Sequence, residues 1–436
     1  MGKYISVEEA LSLVKSGDHI VVALGASEPY EFLSNLHTIA DGDKITDVTV
    51  TSCLSMREYK YNILPEYRDN FFCESLFYSS PTRQVHNLGR ASFIPNHLRL
   101  SGVNRQYNRG ADIFVGICSP PDKHGFVSIS LSDVYERRMM EDADIVILEE
   151  NPHAPRTFGD VNVPAEWVDY FIKADYPMPE IPNSVLGERD LKIGRQIADI
   201  VENGDCIQLG IGSIPNAVAA ALMDKKDLGV HTEMFTTGIM DLMKAGVVTG
   251  RYKQVHREKA VCSFMVGSRE MYDFVDDNPS VLVLDCNYVN DPRIIARNDN
   301  QVSINTSLEV DITGQCCSES LGSKQFSGTG GQTDTAVGAQ MSKNGKSIIA
   351  LYSTAMVKNP HTGEREERSK IVARLQEGAA VSLSRNDVNF VVTEYGMVDL
   401  KGASIAERAK KLISIAHPAF REQLEREAYE CGIVIR

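Results

Sequence analysis

Residues 16–29 read SGDHIVVALGASEP and residues 203–215 read NGDCIQLGIGSIP, each preceded by an amphipathic helical stretch and each running into a proline. A phrase that recurs about one domain length apart constrains the chain to two similar halves. In the first copy Val7, Leu11 and Val14 share a helical face, Gly17-Asp18 makes a turn and Ile20 to Leu24 is an apolar run. In the second, Ile193, Ile197, Ile200 and Val201 precede Gly204-Asp205 and the run Ile207 to Ile211. Helix, turn, buried strand, loop, helix is the grammar of an open α/β sheet with parallel strands. A second echo, ADIVILEEN at 143–151 and VNFVVTEYG at 388–396, ends matching apolar runs in Glu149 and Glu394.

The expected architecture is therefore α/β: two similar open domains from an internal duplication, residues 1–185 and 186–436. Between them, residues 151–190 hold six prolines and the only tryptophan, Trp167, and read as the interdomain connection. Residues 358–370 (KNPHTGEREERSK) are charged and aperiodic and read as an exposed loop. The helix that follows is bounded by a Ser404–Glu407 capping box and stopped by Pro418.

Composition narrows the function. The net charge of −14 disfavours the clustered basic footprint that nucleic acid needs, and no window approaches the ~18 apolar residues of a membrane span. Backbone N–H groups at a helix start can still hold an anion locally. The N-terminus runs straight into a helix pattern without the apolar core of a signal peptide, so cytoplasmic residence is expected. Nine cysteines without a C-x-x-C or a Cys/His ligand spacing read as reduced, buried thiols, and no metal site is expected.

Four segments carry candidate chemistry. In LGIGSIPNAV, Gly210 and Gly212 let the backbone turn tightly toward a ligand, while Ser213 and Pro215 suit an N-cap and first helical turn. About twenty residues on, Glu233 in GVHTEM ends a strand-like run, where a carboxylate can serve as a nucleophile toward an activated acyl group. In KQFSGTGGQTDT, Gly328, Gly330 and Gly331 fit a loop whose N–H groups cradle an oxyanion, with Gln332 and Asp334 as polar anchors. In SPPDKHGFVS, His124 is a candidate base without a visible partner. Each has a structural alternative: a connecting glycine turn, a surface carboxylate, a flexible loop and an ordinary turn residue. A dinucleotide-binding reading with Glu233 on a ribose fails at the third glycine, where Pro215 stands; NGKSII lacks the P-loop glycine, having Gln340 in its place.

Together these segments resemble the family I CoA-transferases, in the acetyl-CoA hydrolase/transferase branch. The resemblance spans nearly the whole chain: SPPDKHGF at 119–126, LGIGSIPNAV at 209–218, GVHTEM at 229–234, FSGTGGQTD at 326–334, SRNDVNFVVTEYG at 384–396 and IAHPAFREQL at 415–424. It implies an active site between the two domains, with Glu233 as nucleophile and Asn290, in YVNDP, beside it. It places Gly210, Ile211, Gly212, Ser213, Ile214, Leu308, Gly330 and Gly331 on coenzyme A. It further implies ping-pong exchange of CoA between short-chain acyl-CoA and carboxylate through a glutamyl-CoA thioester, with CoA as substrate, no permanently bound cofactor, and a homodimer or larger homo-oligomer. Hydrolysis of the same thioester, a nicotinamide-dependent oxidoreductase and a non-catalytic ligand-binding protein are the alternatives. One departure is Thr335, where the family commonly has an aromatic residue; the shorter side chain is expected to enlarge or re-polarise the acyl pocket. In the first half the glycine pair is loosened to Gly25-Ala26-Ser27-Glu28, and Cys53 and Ser55 stand where the second half offers Glu233; this half is read as a pocket wall supplying the SPPDKHGF loop.

Overall fold

The run from His19 to Val22 is buried on both faces, as a continuous apolar strand must be inside a covered parallel sheet. Its alternation decides which core each side chain enters: Ile20 and Val22 pack on one side with Phe32, Val48 and Val50, and Val21 on the other with Phe114 and Leu148. The computed structural model describes residues 2–41, 45–182, 185–358 and 362–435.

The first sheet has eight strands, β1 Lys3–Tyr4, β2 His19–Val22, β3 Val48–Ser52, β4 Phe71–Ser75, β5 Ala91–Phe93, β6 Ile113–Cys118, β7 Ile145–Glu150 and β8 Tyr170–Lys173. Their spatial order is β1-β8-β7-β6-β2-β3-β4-β5, and every pair is parallel. The second has six, β9 Cys206–Leu209, β10 Gly229–Val230, β11 Gln301–Thr306, β12 Lys346–Ala350, β13 Phe390–Thr393 and β14 Gly396–Asp399, ordered β10-β9-β11-β12-β13-β14. Only the hairpin partner β14 runs antiparallel. The repeated phrases become β2 and β9, and the second echo becomes β7 and β13. The halves are not matched strand for strand: one strand separates β2 from β7, and two separate β9 from β13. Glu149 and Glu394 do play similar parts, each accepting backbone N–H groups of a neighbouring segment, Glu31 and Phe32 in the first turn of the helix Tyr30–Asn35 and Ser353 in a loop.

Two expectations are corrected. Residues 151–190 are not a plain connection, because β8 is an integral strand of the first sheet and Phe158–Gly159 pairs with Val281–Val283 of the second half. Val161, Val163, Phe171 and Ile172 are fully buried, so the prolines punctuate folded chain rather than a linker. The charged stretch 358–370 is not a loop: Thr354–Lys358 pairs with Arg365–Ser369 as an exposed antiparallel hairpin, with residues 359–361 outside the described residues. Its alternation was hidden because both faces are largely exposed and neither carries an apolar stripe. The capping box at Ser404 and Glu407 forms as expected, on a helix from Ile405 to Ser414.

The largest hydrophobic cluster runs through both halves, from Val21 and Phe114 to Ile207, Phe235 and Ile304. No helix among the described residues is long and apolar enough to cross a membrane.

Candidate active site

Parallel strands gather ligands at their carboxyl ends, and here seven such ends converge on one cavity of about 680 Å³. Its lining includes residues following β2, β3 and β4 of the first sheet (Leu24, Cys53 to Met56, Phe77 to Pro81) and β9 to β12 of the second. Gly210, Ile211, Gly212, Ser213, Ile214, Glu233, Leu308, Gly330 and Gly331 all line it. Asn290 reaches it through Glu233, to whose Oε2 its Nδ2 donates at 2.7 Å.

The GVHTEM block places the carboxylate by two side-chain anchors. His231 is buried and donates from Nε2 to the Val289 carbonyl at 2.8 Å, fixing the residue before Asn290. Burial, with the nearby Lys253 charge, drives its pKa down to about 3, so the ring is neutral. Thr232 Oγ1 donates to the Met234 carbonyl at 3.1 Å, holding the turn on which Glu233 sits. The main chain is then locked where Ser263 N–H donates to the Glu233 carbonyl at 2.9 Å.

Gly331 completes the cradle. A Cβ there would lie 1.7 Å from Glu233 Oε2 and 2.2 Å from Asn290 Nδ2, so any other residue would displace the carboxylate and the amide. Its backbone packs against the Glu233 carboxylate, and it caps a helix over Gln332–Met341. Gly330, at φ +57°, makes the left-handed bend before it. Burial pushes the Glu233 pKa up to about 7, and the Asp334 charge adds to this, while the Asn290 amide and the Gly331 backbone pull the other way. A carboxyl group at that value is poised to act as an anion near neutral pH while retaining basicity.

The other glycine loop precedes a helix over Ser213–Ala221, with Gly212 at φ +117° in the N-cap position. Ser213 is not the cap: it is the first helical residue, and its hydroxyl instead bonds to Tyr352 Oη at 2.7 Å. The early N–H groups of this helix therefore lack a side-chain cap beside the cavity.

The pocket wall of the first half comes from a different place than the sequence suggested. Pro81, Arg83, Phe77, Tyr78 and Leu98 line the cavity, and the SPPDKHGF loop does not. That loop is a self-contained exposed turn, in which Asp122 Oδ1 accepts from the N–H groups of His124 and Phe126 and Oδ2 accepts from Arg156. His124 is thus removed from the site. Cys53 and Ser55 do line the cavity. Thr335 is buried behind the wall, bonded at 3.0 Å to the lining residue Asn305, so its effect on the pocket is indirect. Arg83 and Lys370 are the cationic side chains of the lining; burial lowers the Lys370 pKa to about 8. Neither bore a sequence signal, since both reach the cavity by long-range packing.

A family model of the acetyl-CoA hydrolase/transferase N-terminal domain matches residues 1–182, and its C-terminal counterpart matches 267–428. The 4-hydroxybutyrate coenzyme A transferase of Clostridium kluyveri is 39% identical, over 98% of this chain and 97% of its own. The butyryl-CoA:acetate CoA-transferase of Anaerostipes caccae is 34% identical, over 99% and 97% respectively. The crystal structure of RipA from Yersinia pestis superposes with a TM-score of 0.92 at 34% identity, covering 99% of this chain and 98% of that one.

Proposed function

Because the chain belongs to the acetyl-CoA hydrolase/transferase family and is a CoA-transferase, we propose that it exchanges CoA between a short-chain acyl-CoA and a short-chain carboxylate, with Glu233 as the nucleophile. The observation that carries this reading is a carboxylate bonded by Asn290 and packed against Gly331 in the wall of a cavity lined by two glycine loops.

Glu233 attacks the thioester carbonyl of the donor, the C–S bond breaks, and an acyl-glutamyl anhydride and CoA thiolate result. The thiolate then attacks the glutamyl carbonyl, releasing the first carboxylate and leaving a glutamyl-CoA thioester. An incoming carboxylate attacks that thioester and reverses the sequence, so that Glu233 emerges unchanged. Each tetrahedral intermediate bears an oxyanion, and N–H groups of the two glycine loops are suited to meet it; loss of one such donor typically costs about 2.7–4 kcal/mol. Arg83 and Lys370 are suited to the phosphate-bearing arm of CoA. Acetate, butyrate and 4-hydroxybutyrate are the carboxylates of the reading, and it has the enzyme acting in the cytoplasm as a homo-oligomer.

Initial rates with acetyl-CoA against a panel of these carboxylates test it. Parallel double-reciprocal lines are expected. Converging lines would contradict a covalent enzyme intermediate, and CoA release unaffected by any carboxylate would make the protein a hydrolase instead.

A further inference from the structure

Residues 97–99 of the first half close onto both supports of Glu233. Leu98 N–H donates to the Gly330 carbonyl at 3.1 Å, one residue before the glycine that touches the carboxylate. Arg99 Nε lies 2.9 Å from Asp334 Oδ1, and Arg99 N–H reaches Asp334 Oδ2 at 3.5 Å, in the first turn of the helix that Gly331 caps. The Arg99 carbonyl accepts from Asn287 Nδ2 at 2.9 Å, on the same short helix that ends at Asn290. Leu98 and Arg99 of the first half thus grip the glycine loop and its helix on one side and the asparagine-bearing helix on the other.

We propose that Arg99 is a positioning residue of the transferase reaction: by pairing with Asp334 across the boundary between the halves, it holds the glycine loop and the Asn290 helix against Glu233, with the Asp334 carboxylate charged beside them. This rests on Glu233 being the nucleophile. Asp334 is almost fully buried, and its charge is the one that opposes ionisation of Glu233. The other titratable groups facing Glu233 are the thiols of Cys53 and Cys286, which burial keeps neutral; those facing Asp334 are Arg99, His97 and the same Cys286 thiol. Burial raises the Asp334 pKa while Arg99 is the largest influence lowering it. Without Arg99, burial favours the protonated form of Asp334, so its charge no longer raises the Glu233 pKa, and the helix behind the glycine loop loses its ion pair to the first half.

The test is the pH profile of kcat/KM for the full-length enzyme as wild type, Arg99→Ala, Arg99→Lys, Asp334→Asn and the double variant Arg99→Ala/Asp334→Asn. Arg99→Ala is expected to move the acidic limb down, toward that of Asp334→Asn, and to lower kcat about 10-fold, with KM for acyl-CoA within about 2-fold. Arg99→Lys restores most of the limb, because it keeps the charge, and Asp334→Asn moves the limb below wild type. The double variant should follow Asp334→Asn, since with the carboxylate gone the arginine has no ion-pair partner. An unmoved limb in Arg99→Ala, or Arg99→Lys no better than Arg99→Ala, overturns the proposal. Should Arg99→Ala fail to fold, Asp334→Asn decides alone: a lowered limb supports the proposal and an unmoved one refutes it. Wild-type enzyme that forms no glutamyl-CoA would instead refute the nucleophile assignment, a separate failure.

Discussion

The two halves each bury a glutamate beyond a strand of the parallel sheet, and only one of them meets a cavity. Glu28, in the loop after β2, is 1% exposed and accepts from Met56 N–H and Tyr59 Oη, beside a void of about 10 Å³. Glu233, after β10, keeps part of its surface open to a cavity of about 680 Å³. Burial pushes the pKa of both up to about 7. A perturbed carboxyl with oriented donors is therefore not by itself a mark of function; access to a cavity separates the nucleophile from a group sealed in the scaffold.

The largest expected effect breaks the comparison outright. Glu233→Gln should lower kcat on the order of 10⁴-fold in a steady-state transfer assay, whereas Glu28→Gln should leave kcat within about 3-fold. Equal losses would mean that burial alone, not position, is being sensed.

Next comes Gly331→Ala, for which nothing comparable exists at Glu28. Its Cβ would displace Glu233 and Asn290, and turnover should fall about 100-fold or more. Near-normal turnover would show that the cradle is not needed.

Glu28 is sharpened by stability rather than rate. Its folded pKa, about 7, lies above the ordinary 4.5, so its ionised form weakens folding: the cost is absent below about pH 4.5, grows between 4.5 and 7, and is full above that. Denaturant melts should accordingly show Glu28→Gln gaining on the order of 1–3 kcal/mol over wild type at pH 8, a gain that fades toward pH 4.5. A gain that stays the same at both pH values would contradict burial as the cause. The smallest effect belongs to His124→Ala, which should leave kcat and KM within about 2-fold because that residue stands in an exposed turn outside the cavity.

What the sequence revealed was local. Glycine pairs, the GVHTEM block and the capping box at Ser404 act over a few residues: the capping box forms, and the ten candidate residues between Gly210 and Gly331 lie in or beside one cavity. What stayed hidden was long-range. Arg99, Phe77 and Lys370 carry no periodic or turn signal, and they join the site only because the carboxyl edges of two sheets face each other. The Thr354–Ser369 hairpin was missed because a two-stranded ribbon exposed on both faces leaves no apolar alternation to read. SPPDKHGF misled for the opposite reason: prolines and an Asp122-centred turn make a stiff motif that serves its own loop rather than the pocket.

The most direct test of Glu233 as nucleophile is mass analysis of peptides after incubation with acyl-CoA and no acceptor. The peptide containing Glu233 should carry CoA in thioester linkage, lost on adding a carboxylate and absent from Glu233→Gln. An unmodified Glu233 peptide, or acyl transfer to Cys53 or Ser55 in the opposite wall, would contradict the account.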